Sequence, residues 1–201
     1  AQPAITSLGT LSSLAVGAIT STAASTITTA DNTDTLSLIS TDADANSGPN
    51  LRLYRNSSSP ADNDIGGQID FEGRNDNSQD VVYARIHSVS GDVSDGTEDS
   101  KLVFSIMQGG TLINAFQLHS DNEIAFNQDG VDLDFRVESD GNQGMLFVDG
   151  GNNRVGIGDT TPSYTLDVDG DINFTGTLRE DGSEFSGGAS DIDGLSDVTV
   201  S

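Results

Sequence analysis

Apolar residues in this chain come in short runs separated by clusters of Gly, Asp, Asn and Ser. Gln68-Ile69-Asp70-Phe71-Glu72 alternates strictly, as does Phe116-Gln117-Leu118. Alternation of this kind marks a half-buried strand. Over residues 31–127 the pattern predicts strands at Thr35–Ile39, Asn50–Tyr54, Gly67–Phe71, Val81–Val89, Lys101–Met107, Thr111–Leu118 and Glu123–Phe126. Turn-forming stretches such as Asp42–Pro49, Asn56–Asp64 and Gly91–Asp99 separate them. Short strands at this spacing predict a sandwich-like domain.

Residues 128–180 carry a weak repeat, which begins in the last strands before them. Two apolar residues one apart, a polar turn, and two more apolar residues recur. The copies are Phe116/Leu118 with Ile124/Phe126, Phe135/Val137 with Leu146/Val148, Leu146/Val148 with Val155/Ile157, and Leu166/Val168 with Ile172/Phe174. Each reads as a minimal β-hairpin. Single hairpins are marginal in water, so a stacked hairpin stalk is expected, paired between chains.

Residues 1–30 are different. Ile5, Leu8, Leu11, Leu14, Val16 and Ile19 are mostly three apart, with Thr, Ser and Gly between them. Those spacers are poor helix formers. The stretch reads as a fibrous shaft repeat whose apolar edge three copies around an axis would bury. Residues 181–201 read as a connector to a C-terminal region beyond Ser201. With no Met at its start, the chain is expected to be processed or a fragment.

Composition sharpens the all-β reading. Of the 32 acidic residues, 26 are Asp and 6 are Glu. Asp bonds to its own backbone and favours turns over helices. With 8 basic residues the net charge is −24, which leaves no basic face for nucleic acid. No apolar run approaches the ~18 residues of a membrane span, so membrane insertion is not expected. The absence of Cys removes disulfides, zinc–thiolate sites and cysteine nucleophiles.

Asn152-Asn153-Arg154-Val155-Gly156-Ile157-Gly158, Pro162, Leu166-Asp167-Val168-Asp169-Gly170-Asp171-Ile172 and Gly176-Thr177-Leu178 resemble a segment common in phage tail fibres and related surface fibres. Asp159 stands where Thr is usual in that pattern. The resemblance implies a structural fibre protein located on a virion or outside a cell. It implies a homotrimer joined to other virion or filament proteins and contributing to host-cell attachment. Trimer packing is expected at Leu8, Leu11, Leu14, Val155, Gly156, Ile157, Gly158, Leu166 and Val168. Gly156 and Gly158 leave one strand face bare, which would let another backbone approach closely at a threefold axis.

Candidate chemistry is sparse. Asp167, Asp169 and Asp171 alternate as the start of a calcium site would. The EF-hand positions that should hold Gly and Glu are Ile172 and Leu178, so the three read first as a turn, with structural Ca2+ the alternative. Asp70 and Glu72 share one side of a strand and form the only candidate carboxylate pair. Nothing else resembles a sugar-cleaving site, and no enzyme, catalytic residue or organic cofactor is expected. His87 and His119 are the only histidines, too few for zinc within one chain, and His119 is expected to face solvent. The alternative to a tail-fibre segment is a glycan- or protein-binding module of a bacterial filament or adhesin. It would act through loops 42–49, 56–64 and 91–99, with Tyr54 as an aromatic platform. The leading expectation is an all-β, elongated, trimeric fibre.

Overall fold

The computed structural model describes residues 20–184. The expected shaft repeat through Ile19, with Leu8, Leu11 and Leu14, and the connector after Glu184 lie outside these residues. The chain divides into two units, Ala1–Arg52 and Leu53–Ser201. The boundary expected at 30/31 falls inside the first.

The described residues are all-β, without helix. In the first unit no strand forms over residues 20–52. Leu36, Leu38 and Ile39 are exposed, so the strand expected at Thr35–Ile39 finds no ladder partner. Local side-chain bonds shape this stretch instead. Asp31 accepts from the Thr33 amide at 3.0 Å, and Asp44 from the Asn46 amide at 2.8 Å.

In the second unit, five strands form one antiparallel sheet. They are β1 (Asp64–Arg74), β2 (Asp80–Asp92), β3 (Asp99–Gln108), β4 (Thr111–His119) and β5 (Ile124–Phe126). Their spatial order is their chain order. These are the strands expected from Gly67 to Phe126, the first four extended at their ends and the last one residue shorter. The facing sheet of the expected sandwich is not formed. Short hairpin connections keep each strand beside its predecessor, whereas a sandwich needs strands that cross to a second layer. The tightest connection, Gly109-Gly110, has φ of 55° and 87°, the left-handed pair that matches strand twist. The strand expected at Asn50–Tyr54 is also not formed. Leu53 packs over Gly67 of β1, where an added Cβ would lie 2.6 Å from the Leu53 Cβ.

A second sheet holds β6 (Phe135–Val137), β7 (Leu146–Asp149), β8 (Arg154–Ile157) and β9 (Leu166–Val168) in that order. The β6–β7 and β7–β8 pairs are antiparallel. The β8–β9 pair is parallel, with Val155 opposite Leu166 and Ile157 opposite Val168. The hairpin expected between Leu166/Val168 and Ile172/Phe174 is therefore not formed, and Ile172 and Phe174 are exposed. Parallel strands normally need a long crossover. Here the strands are 4 and 3 residues long, so a short loop returns the chain to the starting end. Asp159 shapes that loop by accepting from the Thr161 amide at 2.8 Å and its hydroxyl at 3.1 Å. Arg154 donates to the Pro162 carbonyl at 2.7 Å. A final two-stranded hairpin joins β10 (Arg179–Glu180) and β11 (Ser183–Glu184).

The bare face at Gly156 is filled by its own chain. A Cβ there would collide with the Asp159 carbonyl oxygen. Gly158 has φ of 77°, and a Cβ would lie 2.9 Å from the Asp169 carbonyl oxygen. Both glycines are thus pressed by their own chain, Gly156 by Asp159 in the β8–β9 loop and Gly158 by Asp169 just after β9. Gly156→Ala is expected to destabilise the fold by about 1–3 kcal/mol, as overpacking does. Gly141→Ala, with open space around it, should stay within about 0.5 kcal/mol. Urea unfolding at one fixed protein concentration checks both.

Candidate assembly surface

The register of the five-stranded sheet sorts its residues into two unlike faces. One row across the sheet reads Ile69, Ile86, Phe104, Phe116, Phe126. The row on one side reads Phe71, Ala84, Ile106, Ile113. The row on the other reads Ser88, Leu102, Leu118, Ile124. No charged residue stands in these rows. Phe104, Phe116 and Phe126 form a ring ladder with centroids 5.4 and 4.9 Å apart, and Phe135 of β6 continues it at 4.6 Å. Aromatic neighbours at such distances attract beyond their area burial.

Apart from Ile113, which is buried, much of this apolar face is open. Ile69, Phe71, Leu102, Ile106, Leu118, Ile124 and Phe126 keep between 37% and 61% of their surface accessible. Among the described residues, no large side chain is fully buried. A sheet with one apolar face is stable only when another layer covers that face. Contiguous exposed apolar surface of this kind marks an interaction site.

The opposite face is polar and better enclosed. Its rows read Asp70, Arg85, Ser105, Asn114 and Gln68, His87, Val103, Gln117, Ala125. Val103 and Ser105 keep 3% of their surface and Gln117 keeps 7%. Arg85 Nε donates to Asp70 at 2.6 Å and Nη2 donates at 3.2 Å, a two-point grip. Gln68 donates to the same carboxylate at 2.6 Å. Asn114 ties this face to the segment after β5, its amide donating to Asp129 at 2.7 Å.

The candidate residues from the sequence fall as follows. The Arg85 hydrogen bonds hold the Asp70 carboxyl below its usual range, aided by Gln68 and opposed by desolvation. Asp70 is thus committed to Arg85, and the strand register shifts between Phe71 and Glu72. Asp167, Asp169 and Asp171 do not converge. Asp167 accepts from the Ser163 amide at 2.8 Å, and the Asp169 amide donates to the Ile157 carbonyl at 2.9 Å. Val155, Gly156, Ile157, Leu166 and Val168 lie together on β8 and β9, with Gly158 just after β8. The His119 side chain retains 9% exposure, contrary to the solvent-facing position expected. It ends β4 opposite Lys101, and the chain folds back over it through residues 120–123. Burial lowers the pKa of His87, Arg85 lowers it further, and Asp70 partly offsets them.

Tyr54 and part of the expected recognition loops do converge. Tyr54, Arg55, Ser57, Pro60, Asp64, Ser90 and Val93 line a cavity of ≈ 190 Å³. Arg55 pairs with Asp64 there at 3.1 Å. Loop 42–49 belongs to the first unit.

Alternation in the sequence marks each strand as half-buried, but whether a second layer covers the apolar face depends on connections that the pattern does not encode. No family of known proteins matches the chain, and no curated protein matches its sequence.

The Asp70–Arg85 grip has a pH signature. Asp70 has a depressed native pKa, so its contribution is fully present above the ordinary value of ~4 and fades as pH falls through the native value. Asp70→Asn is expected to lower the thermal midpoint at neutral pH. Melting curves should show the difference from the parent protein shrinking as pH falls toward roughly 2.

Proposed function

We propose that the chain is a structural, non-enzymatic segment of a tail-fibre-like appendage, on a virion or outside a cell, contributing to host attachment. It works as a homotrimer in which the apolar faces of three five-stranded sheets meet around one axis. The observation that carries this reading is the uncharged row Ile69, Ile86, Phe104, Phe116 and Phe126, left open in a chain of net charge −24. Copies of so acidic a protein repel one another except where a surface carries no charge. The face therefore suits a second and third copy of the same chain. A trimer also agrees with the period-three N-terminus and with the resemblance of residues 152–178 to fibre segments.

Imaging of the purified protein by negative stain tests the reading. Thin rods with threefold cross-sections are expected, and compact single-chain particles would sink it. Phe126→Asp places a charge inside the ring ladder and is expected to weaken association at least about tenfold, the effect of ~1.4 kcal/mol.

A second reading, recognition of a cell-surface glycan, is favoured by the Tyr54 cavity. Its volume suits a single sugar ring, with hydroxyl donors from Ser57 and Ser90 and an aromatic wall from Tyr54. Binding on a glycan array that Tyr54→Ala abolishes would support this role. A blank array would leave the structural role alone.

A further inference from the structure

We infer, on the premise of the homotrimer proposed above, that the β6–β9 sheet carries a second contact surface for copies of this chain, continuous with the apolar face of the five-stranded sheet. Register places its residues. One row reads Phe135, Val148, Val155 and Leu166. Two positions along the strands, and so on the same side, Val137 stands opposite Leu146 and Ile157 opposite Val168. Every one of these side chains is apolar. Val137, Val148, Ile157 and Leu166 keep between 37% and 60% of their surface accessible.

The opposite side of this sheet is closed by its own chain. Its row reads Arg136, Phe147, Gly156 and Asp167. Phe147 is buried, and the β8–β9 loop lies against Gly156, with Pro162 of that loop buried. Arg154, paired with Asp149 in register on that side, holds the loop through its bond to the Pro162 carbonyl. A sheet packed on one face, with its other face apolar and in water, lacks a layer. Val155, Ile157, Leu166 and Val168 share the open side, whereas Gly156 stands on the closed one.

Phe135 joins this surface to the first. Its ring lies 4.6 Å from that of Phe126, at the end of the ladder that crosses the five-stranded sheet. Hydrogen bonds fix the connection between the two strands. Asn127 Nδ2 donates to the Val131 carbonyl at 2.7 Å, and Asn127 Oδ1 accepts from the Val131 amide at 3.0 Å. Gln108, at the end of β3, donates to the Asp132 carbonyl at 2.9 Å. Charge selects the occupant. The chain carries −24, and the rows on this side of the sheet carry none of it. A partner steered by charge would find nothing to pair with there, whereas another copy approaches closely only where both surfaces are uncharged. Identical faces that run on from one sheet to the next suit chains related by a symmetry axis.

Sedimentation equilibrium of the full chain and three variants tests the surface. Leu166→Asp and Val148→Asp each place a charge in the contact and are expected to weaken association at least about tenfold. Thr160→Asp adds the same charge at an exposed position beside Phe147 and Arg154, on the closed side, and should leave the mass unchanged. The chain has no Cys, so one introduced thiol reports its own site. In the assembled protein the Leu166→Cys thiol should react with a disulfide reagent at least about tenfold more slowly than that of Thr160→Cys. That comparison adds no charge and decides the matter even where an Asp variant fails to fold. A parent of single-chain mass would remove the trimer and this surface together. A trimeric parent whose Leu166→Asp variant keeps its mass, or whose two thiols react equally fast, would overturn this surface alone. Protection of the Leu166→Cys thiol only on adding phosphatidylcholine vesicles would give the face to lipid and overturn it too.

Discussion

The structure depends on how an uncovered apolar sheet face is kept from water. A single antiparallel sheet can bury one face at most against its own loops, and here the enclosed face is the polar one. Val103, Ser105 and Gln117 are buried, whereas on the other side Ile113 alone is buried to the same degree and Phe71, Ile124 and Phe126 remain about half exposed. Within one chain this inversion leaves the strongest driving force, apolar burial, largely unspent. Association of copies through the uncharged face would recover it, and the ring ladder from Phe104 to Phe135 would then lie inside the assembly. The acidic surface would then confine close approach of copies to that face.

Turn chemistry is the second thread. Asp31, Asp44, Asp92, Asp149 and Asp159 each accept a hydrogen bond from a backbone amide two or three residues onward. Those bonds, with side-chain partners at Thr33, Asn46, Ser94 and Asn152, hold Asp31, Asp44, Asp92 and Asp149 below the usual carboxylate range. Glu is too long to make these turns with the same economy of chain. The excess of Asp over Glu is thus partly architecture. The remaining charge keeps the outer surface solvated.

What could be read from residues alone was local. Alternation located the five strands between Gly67 and Phe126, because a period of two needs no knowledge of neighbours. It also showed which residues share a face, since Ile69 and Phe71 differ from Asp70 by one position. It could not show that the chain lacks a second layer, because that depends on connection geometry. The parallel placement of β9 was hidden for the same reason, and so was the need for Gly156 beside the Asp159 carbonyl. The contacts of Gly156 with Asp159 and of Gly158 with Asp169 inside one chain were likewise invisible, because they depend on where the chain returns after β8.

The central claim is that copies of this chain cover one another's apolar sheet face. Sedimentation equilibrium of the purified chain, of mass 20.9 kDa, tests it most directly. The account predicts a single species with three times that mass, persisting at high salt because the contact is apolar. A monodisperse particle with the mass of one chain, at the same concentration, would contradict it.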